Sequence, residues 1–200
     1  MEAFFGNAAA ARQGAGAALE LSRAREVVYG VALALSLSGD SPKSQRLADD
    51  LEKRFPENTV VKFNYVPTLR ARLALTQGAP AKALEILQIA AQYELGVPAS
   101  SSVGLFGALY PLYVRGEAYL ALHRGEEAAL EFQKILDHRG IVGVDPIGAL
   151  ARLQLSRALA LSGDRGRAIA QYQDFLTLWK HADPDIPILV HARAEYARLQ

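Results

Sequence analysis

Four glycines, Gly6, Gly39, Gly78 and Gly163, are followed by residues of matched character at constant distances. Five positions on come Ala11, Ser44, Ala83 and Ala168; nine on, Ala15, Ala48, Leu87 and Tyr172; twelve on, Ala18, Leu51, Ala90 and Phe175. Seven positions before three of the glycines stand Ala32, Ala71 and Ser156. Small side chains on both sides of a glycine turn let two helices approach closely, so each unit predicts an antiparallel helix pair. One pair cannot bury its apolar surface alone, but pairs stacked on each other can. The expected fold is all-α, an α-α superhelix or solenoid of about ten antiparallel helices, an architecture whose common work is to hold other molecules.

Composition narrows that work. Of 200 residues half are hydrophobic, and 22 Lys and Arg nearly balance 21 Asp and Glu, leaving a formal charge of +1. The charges are interspersed, with no basic block, so the electrostatic term that drives nucleic-acid binding is missing and no nucleic-acid partner is expected. Zero cysteines exclude disulfides and thiolate metal sites. The uncharged run from Val27 to Gly39 is far short of the ~20 residues of a membrane span, and no basic and apolar leader opens the chain, so no membrane insertion is expected. The expected compartment is the cytoplasm, or the far side of a membrane if a span precedes this segment in a longer parent.

Helix starts are marked by Asp40-Ser41-Pro42, Gly78-Ala79-Pro80, Asp145-Pro146 and Asp183-Pro184-Asp185, where Pro occupies a first turn that needs no amide hydrogen. Amphipathic stripes follow, such as Leu47, Leu51 and Phe55, or Ala168, Tyr172, Leu176 and Trp179. Period-two alternation is confined to Thr59 to Phe63, and no sheet is expected. Residues 1–200 read as one domain: a lone second helix at 1–21, units at about 24–56, 58–93, 103–138 and 146–180, and a capping helix at 185–200. The opening half-unit leaves Phe4 and Phe5 at an uncapped end, as in the terminal piece of something longer. Two prolines, Pro67 and Pro111, fall nine residues after the N-cap candidates Asn58 and Ser102, which predicts two kinked or restarted helices side by side. In the third unit Gly125 precedes Ala128 by only three residues, which reads as a turn shortened by two.

Gly116-Glu117-Ala118-Tyr119-Leu120-Ala121-Leu122, followed by Ala128, Phe132 and Ile135, and the run from Ala32 through Gly39 and Ala48 to Pro56, resemble the tetratricopeptide-repeat signature. The stretches Phe63 to Arg70, Leu109 to Tyr119 and Phe132 to Ile141 further resemble the carboxy-terminal tetratricopeptide region of large bacterial serine/threonine protein kinases. That resemblance implies a parent in which a kinase domain precedes the scaffold. The kinase glycine-rich loop, His-Arg-Asp loop and Asp-Phe-Gly motif are all missing from this chain, so phosphotransfer does not carry over.

Catalytic and cofactor motifs are sparse. His123, His138, His181 and His191 are scattered, with no pair on one helical face, so no metal site is expected. Asp183 and Asp185 lack the glycine and closing glutamate of a calcium loop and read as helix caps. Ser100 to Ser102 has loop composition, and Gly14-Ala15-Gly16 lacks the strand and third glycine of a dinucleotide site. No catalytic residue and no cofactor is expected. The remaining candidate is the concave face: Tyr29, Asn64, Tyr65, Thr68, Arg72, Tyr110, Tyr113, Glu117, Gln154 and Arg157, all on first helices of pairs. Tyr and Arg gathered on one surface are the residue types that anchor peptides, although tyrosines at this spacing also pack between repeats. The expectation is a non-catalytic scaffold for a protein or peptide; the alternative is a sensor domain that holds a small molecule in the groove and signals to an attached effector.

Overall fold

The computed structural model describes residues 2–96 and 107–200. The N-cap expected at Ser102, the start of the third unit and the Ser100 to Ser102 run lie outside them. Among the described residues the regular structure is entirely helical. Ten helices of eight or more residues run in the order α2 (Ala8–Leu21), α3 (Arg25–Leu37), α4 (Ser41–Arg54), α5 (Val66–Thr76), α6 (Pro80–Leu87), α7 (Tyr110–Ala121), α8 (Gly125–Asp137), α10 (Ile147–Leu161), α11 (Arg165–Leu178) and α12 (Pro187–Arg198). Two single turns, α1 (Glu2–Phe5) and α9 (Arg139–Val142), were not expected from the sequence. Helices α3 and α4, α5 and α6, α7 and α8, and α10 and α11 pack as hairpins. Each first helix also touches the next first helix, α3 on α5, α5 on α7 and α7 on α10.

The small-residue ladder is the hairpin interface. Gly6, Gly39, Gly78 and Gly163 all adopt positive φ, between 72° and 92°, the left-handed conformation that a side chain disfavours. The residues at the fixed offsets are buried, Ala18 alone being half-exposed. In the third unit the left-handed position belongs to His123, at φ 58°. The turn is therefore not shortened. Counted from His123, the ladder residues are Gly116, Ala128, Phe132 and Ile135, at the standard distances, and a Cβ on Gly116 would lie 2.5 Å from the Phe132 ring. Gly125 instead meets the backbone of α10, where a Cβ would come within 2.7 Å of the Ala158 carbonyl.

The two internal prolines behave differently from each other. Thr59 to Phe63, the only stretch with strand-like alternation, is helical, and residues Val61–Tyr65 form a π-helical segment continuous with α5. Its wider turns, closed by the Val66 amide on the Val61 carbonyl, leave room for Pro67 to enter without breaking the helix. Pro111 sits in the first turn of α7, where its missing amide costs nothing. Asp40 and Asp164 cap α4 and α11, accepting the Lys43 and Arg167 amides at 3.2 and 3.1 Å. Asp183 and Asp185 do not cap: α12 begins at Pro187, with Ile186 before it and no side-chain bond.

The amino end is covered by its own first turn. α1 lies against α2, α3 and α12, Phe4 packs on Tyr110 and Tyr113 with ring centroids at 5.6 and 6.3 Å, and Phe5 meets Trp179 edge-on at 5.1 Å. Behind the 3-10 turn Gln88–Ala90, Glu94 is buried and held by Arg115 and Lys134, with Arg115 also bonded to Glu131.

Candidate functional site

Helical spacing collects the candidate side chains into one stripe per first helix. Asn64, Thr68 and Arg72 are four residues apart, Tyr110, Tyr113 and Glu117 three and four apart, and Gln154 and Arg157 three apart, so each set shares a face. Because α3, α5, α7 and α10 are neighbours, the stripes meet as a continuous seam.

At one end Tyr29 of α3 stacks on Tyr65 with centroids 3.9 Å apart and planes 7° from parallel. Asn64 donates from Nδ2 to the Ala108 carbonyl at 3.1 Å. Arg72 donates from Nη1 to Glu117 Oε2 at 3.3 Å, across α5 and α7. In the middle, Gln154 donates from Nε2 to the Tyr113 hydroxyl at 3.1 Å and accepts at Oε1 from Arg157 Nη1 at 3.2 Å. At the far end Arg157 donates from Nε and Nη2 to both oxygens of Glu195 at 2.9 and 3.0 Å, and Tyr172 donates to the same carboxylate at 2.9 Å. Tyr110 donates to Asp145 at 2.9 Å, and Asp145 also accepts the Ile147 amide that opens α10.

All ten candidates thus belong to one assembly, but it is not the open surface expected. Tyr29, Asn64, Tyr65, Thr68, Tyr110, Tyr113 and Gln154 are buried, and only Arg72, Glu117 and Arg157 are half-buried. The tyrosines pack between helices, and Phe4 covers two of them. The residues missed by sequence reasoning are Phe4, Asp145, Tyr172, Trp179 and Glu195. A signal existed for Glu195: it extends the buried stripe of Leu189 and Ala192 on α12, where a carboxylate needs a partner.

Burial sets the electrostatics. It holds Glu117 above the ordinary carboxyl value, and the nearby Arg72 and Arg157 guanidiniums only partly offset it. Tyr65 is pushed up to about 12, chiefly by burial and next by the charge of Glu26. Tyr113 is raised by burial and by Glu117, and Tyr172 by burial and by Glu195. These phenols therefore stay neutral at physiological pH and serve as hydrogen-bond donors and acceptors, with aromatic area for contact. Arg72 Nε and Asn64 Oδ1 are buried without a hydrogen-bond partner, which marks the α5 end of the seam as under-satisfied. Among the described residues no group of three His, Cys, Asp or Glu could hold a metal, and no helix is long and apolar enough to cross a membrane. No protein-family model, no curated protein and no solved structure matches the chain.

Proposed function

We propose that this chain is a non-catalytic protein-interaction scaffold, a tetratricopeptide-like solenoid that binds a protein or peptide segment along the face formed by α3, α5, α7 and α10, within a kinase-linked or other multidomain bacterial regulator. The observation that carries this reading is the seating of Phe4 on Tyr110 and Tyr113. A face that receives an aromatic side chain from a separate turn of chain has the contact chemistry of a peptide site, with anchor area from tyrosine and one unpaired donor, the buried Arg72 Nε, on α5. The hairpin order, with first helices side by side, supports the solenoid part.

A display library of random peptides, panned on the protein and followed by amide chemical-shift mapping, tests the reading. Selected peptides are expected to shift residues of α5, α7 and α10, and Arg72→Ala should weaken carboxylate-bearing peptides about ten-fold, whereas Lys53→Ala on the exposed back of α4 should not. Shifts confined to the backs of α4, α8 and α11 would overturn it. A sensor of a small molecule is the second reading, favoured by an open groove of about 450 Å³ lined by Phe55, Val61, Val66, Pro67, Ile86 and Ile89 and edged by Glu52, Lys62 and Arg70, beside the π-helical segment.

A further inference from the structure

The turn that occupies the face is held to the body in an unusual way. Among the described residues, the hydrogen bonds of α1 to anything outside itself end on its neighbour Asn7: the Asn7 amide donates to the Glu2 carbonyl at 3.0 Å and Asn7 Nδ2 to Glu2 Oε2 at 2.6 Å. Besides its packing on α2, α3 and α12, α1 is joined to α7 and to the end of α11 by ring contact, Phe4 on Tyr110 and Tyr113, Phe5 on Trp179. Adjacent residues on a helical turn point about 100° apart, so one turn carrying two neighbouring phenylalanines reaches two separate elements at once. The turn is joined to α2 through Gly6, which is left-handed at φ +92° and so close to Pro187 that a Cβ would lie 2.8 Å from the proline ring.

We propose, building on the peptide-binding reading above, that residues 2–5 are a built-in, displaceable occupant of the α3 and α7 part of this face and of the adjoining end of α11, and that the partner taken there is a peptide segment presenting two adjacent aromatic side chains on one helical turn. A tethered segment experiences an effective concentration of the order of mM, so an intrinsic dissociation constant of ~0.1 mM keeps it seated while raising a competitor's apparent constant about ten-fold. The occupant then acts as a threshold: weak partners are excluded, and those with a better aromatic pair enter.

The test uses the full chain and the synthetic peptide Glu-Ala-Phe-Phe-Gly-Asn, capped at both ends, titrated by calorimetry. Phe4→Ala combined with Phe5→Ala should bind this peptide at least ten-fold more tightly than the unsubstituted chain does, and a peptide with both phenylalanines replaced by alanine should not bind. Gly6→Ala offers a second route, since strain and the clash with Pro187 unseat α1 while leaving its phenylalanines intact. Equal affinity for the unsubstituted chain and both variants, or no binding to either variant, overturns the inference. If library-selected peptides still map to α5, α7 and α10 of the double variant while the aromatic-pair peptide does not, only this inference fails; if neither binds, the underlying reading fails too. A concentration-dependent dimer that Phe4→Ala and Phe5→Ala abolish overturns it in another way, by assigning the turn to a second copy of the chain.

Discussion

Arg72 and Arg157 stand at opposite ends of the same seam with similar exposure, their side chains 19% and 27% accessible, yet they are used differently. Arg157 grips Glu195 with two parallel bonds, Gln154 takes a third donor, and Tyr172 occupies a further site on the carboxylate. Arg72 makes one 3.3 Å bond to Glu117 and leaves a buried Nε unpaired. The fork geometry of guanidinium makes the first arrangement rigid and the second incomplete. The difference separates fastening from recognition: the α10–α12 end closes the fold, and the α5–α7 end keeps polar capacity in reserve.

The strongest way to break this division is to cut the closed end. Arg157→Ala should cost about 2 to 3 kcal/mol, because it removes two charge-assisted bonds and strands a partly buried carboxylate, with the figure reduced for the accessibility of both partners. Glu195→Ala should cost a similar amount, and the double variant should cost less than the sum, because the pair acts as a unit. Urea midpoints of the three variants measure this. A loss below half a kcal/mol in both single variants would show that the fastening lies elsewhere.

A smaller effect is expected at the other end. Arg72→Met keeps the stem that packs along α5 while removing a long bond and an unpaired donor, so its stability should change by less than about 1 kcal/mol. The same urea series checks it, and a loss equal to that of Arg157→Ala would erase the contrast.

Much of this is legible in the sequence, for reasons that differ by region. The ladder at Gly39, Gly78 and Gly163 announced the hairpins because positive φ and close helix approach both demand small residues, and demands of that kind leave a periodic trace. The third hairpin is not legible in this way, because His123 adopts the left-handed conformation without glycine and the conspicuous Gly125 answers a different need, the approach of α10. Pro67 signalled a disturbance, but whether a helix breaks there or widens into a π turn depends on the packing of Val61 and Tyr65, both buried. The ten seam residues were found by helical phase, which tells which side chains share a stripe. It does not tell what lies on top of them. Phe4 covering Tyr110, and the choice of Arg157 as the partner that Glu195 needs, are contacts over more than 35 residues of sequence that no local pattern encodes.

The finest test lies in the sign of the Glu117 charge. Burial raises its folded-state value above the ordinary carboxyl, so the folded chain holds this proton more tightly than the unfolded chain does. The resulting contribution is present in full below the unfolded value of about 4.5, is lost as pH rises through the raised folded value, and leaves a net cost at neutral pH, where the carboxylate is charged and Arg72 offsets it only in part. Glu117→Gln keeps the shape and an acceptor for Arg72 but cannot ionise. Its stability should therefore fall less than that of the unsubstituted chain between pH 4.5 and 7, and at pH 7 it should match or exceed it by a few tenths to about 1 kcal/mol. Paired urea titrations at the two pH values decide the matter. A variant that is weaker at pH 7 and unchanged at pH 4.5 would mean that the Arg72 pair is net favourable, and the α5–α7 end would then be as firmly closed as the Arg157 end.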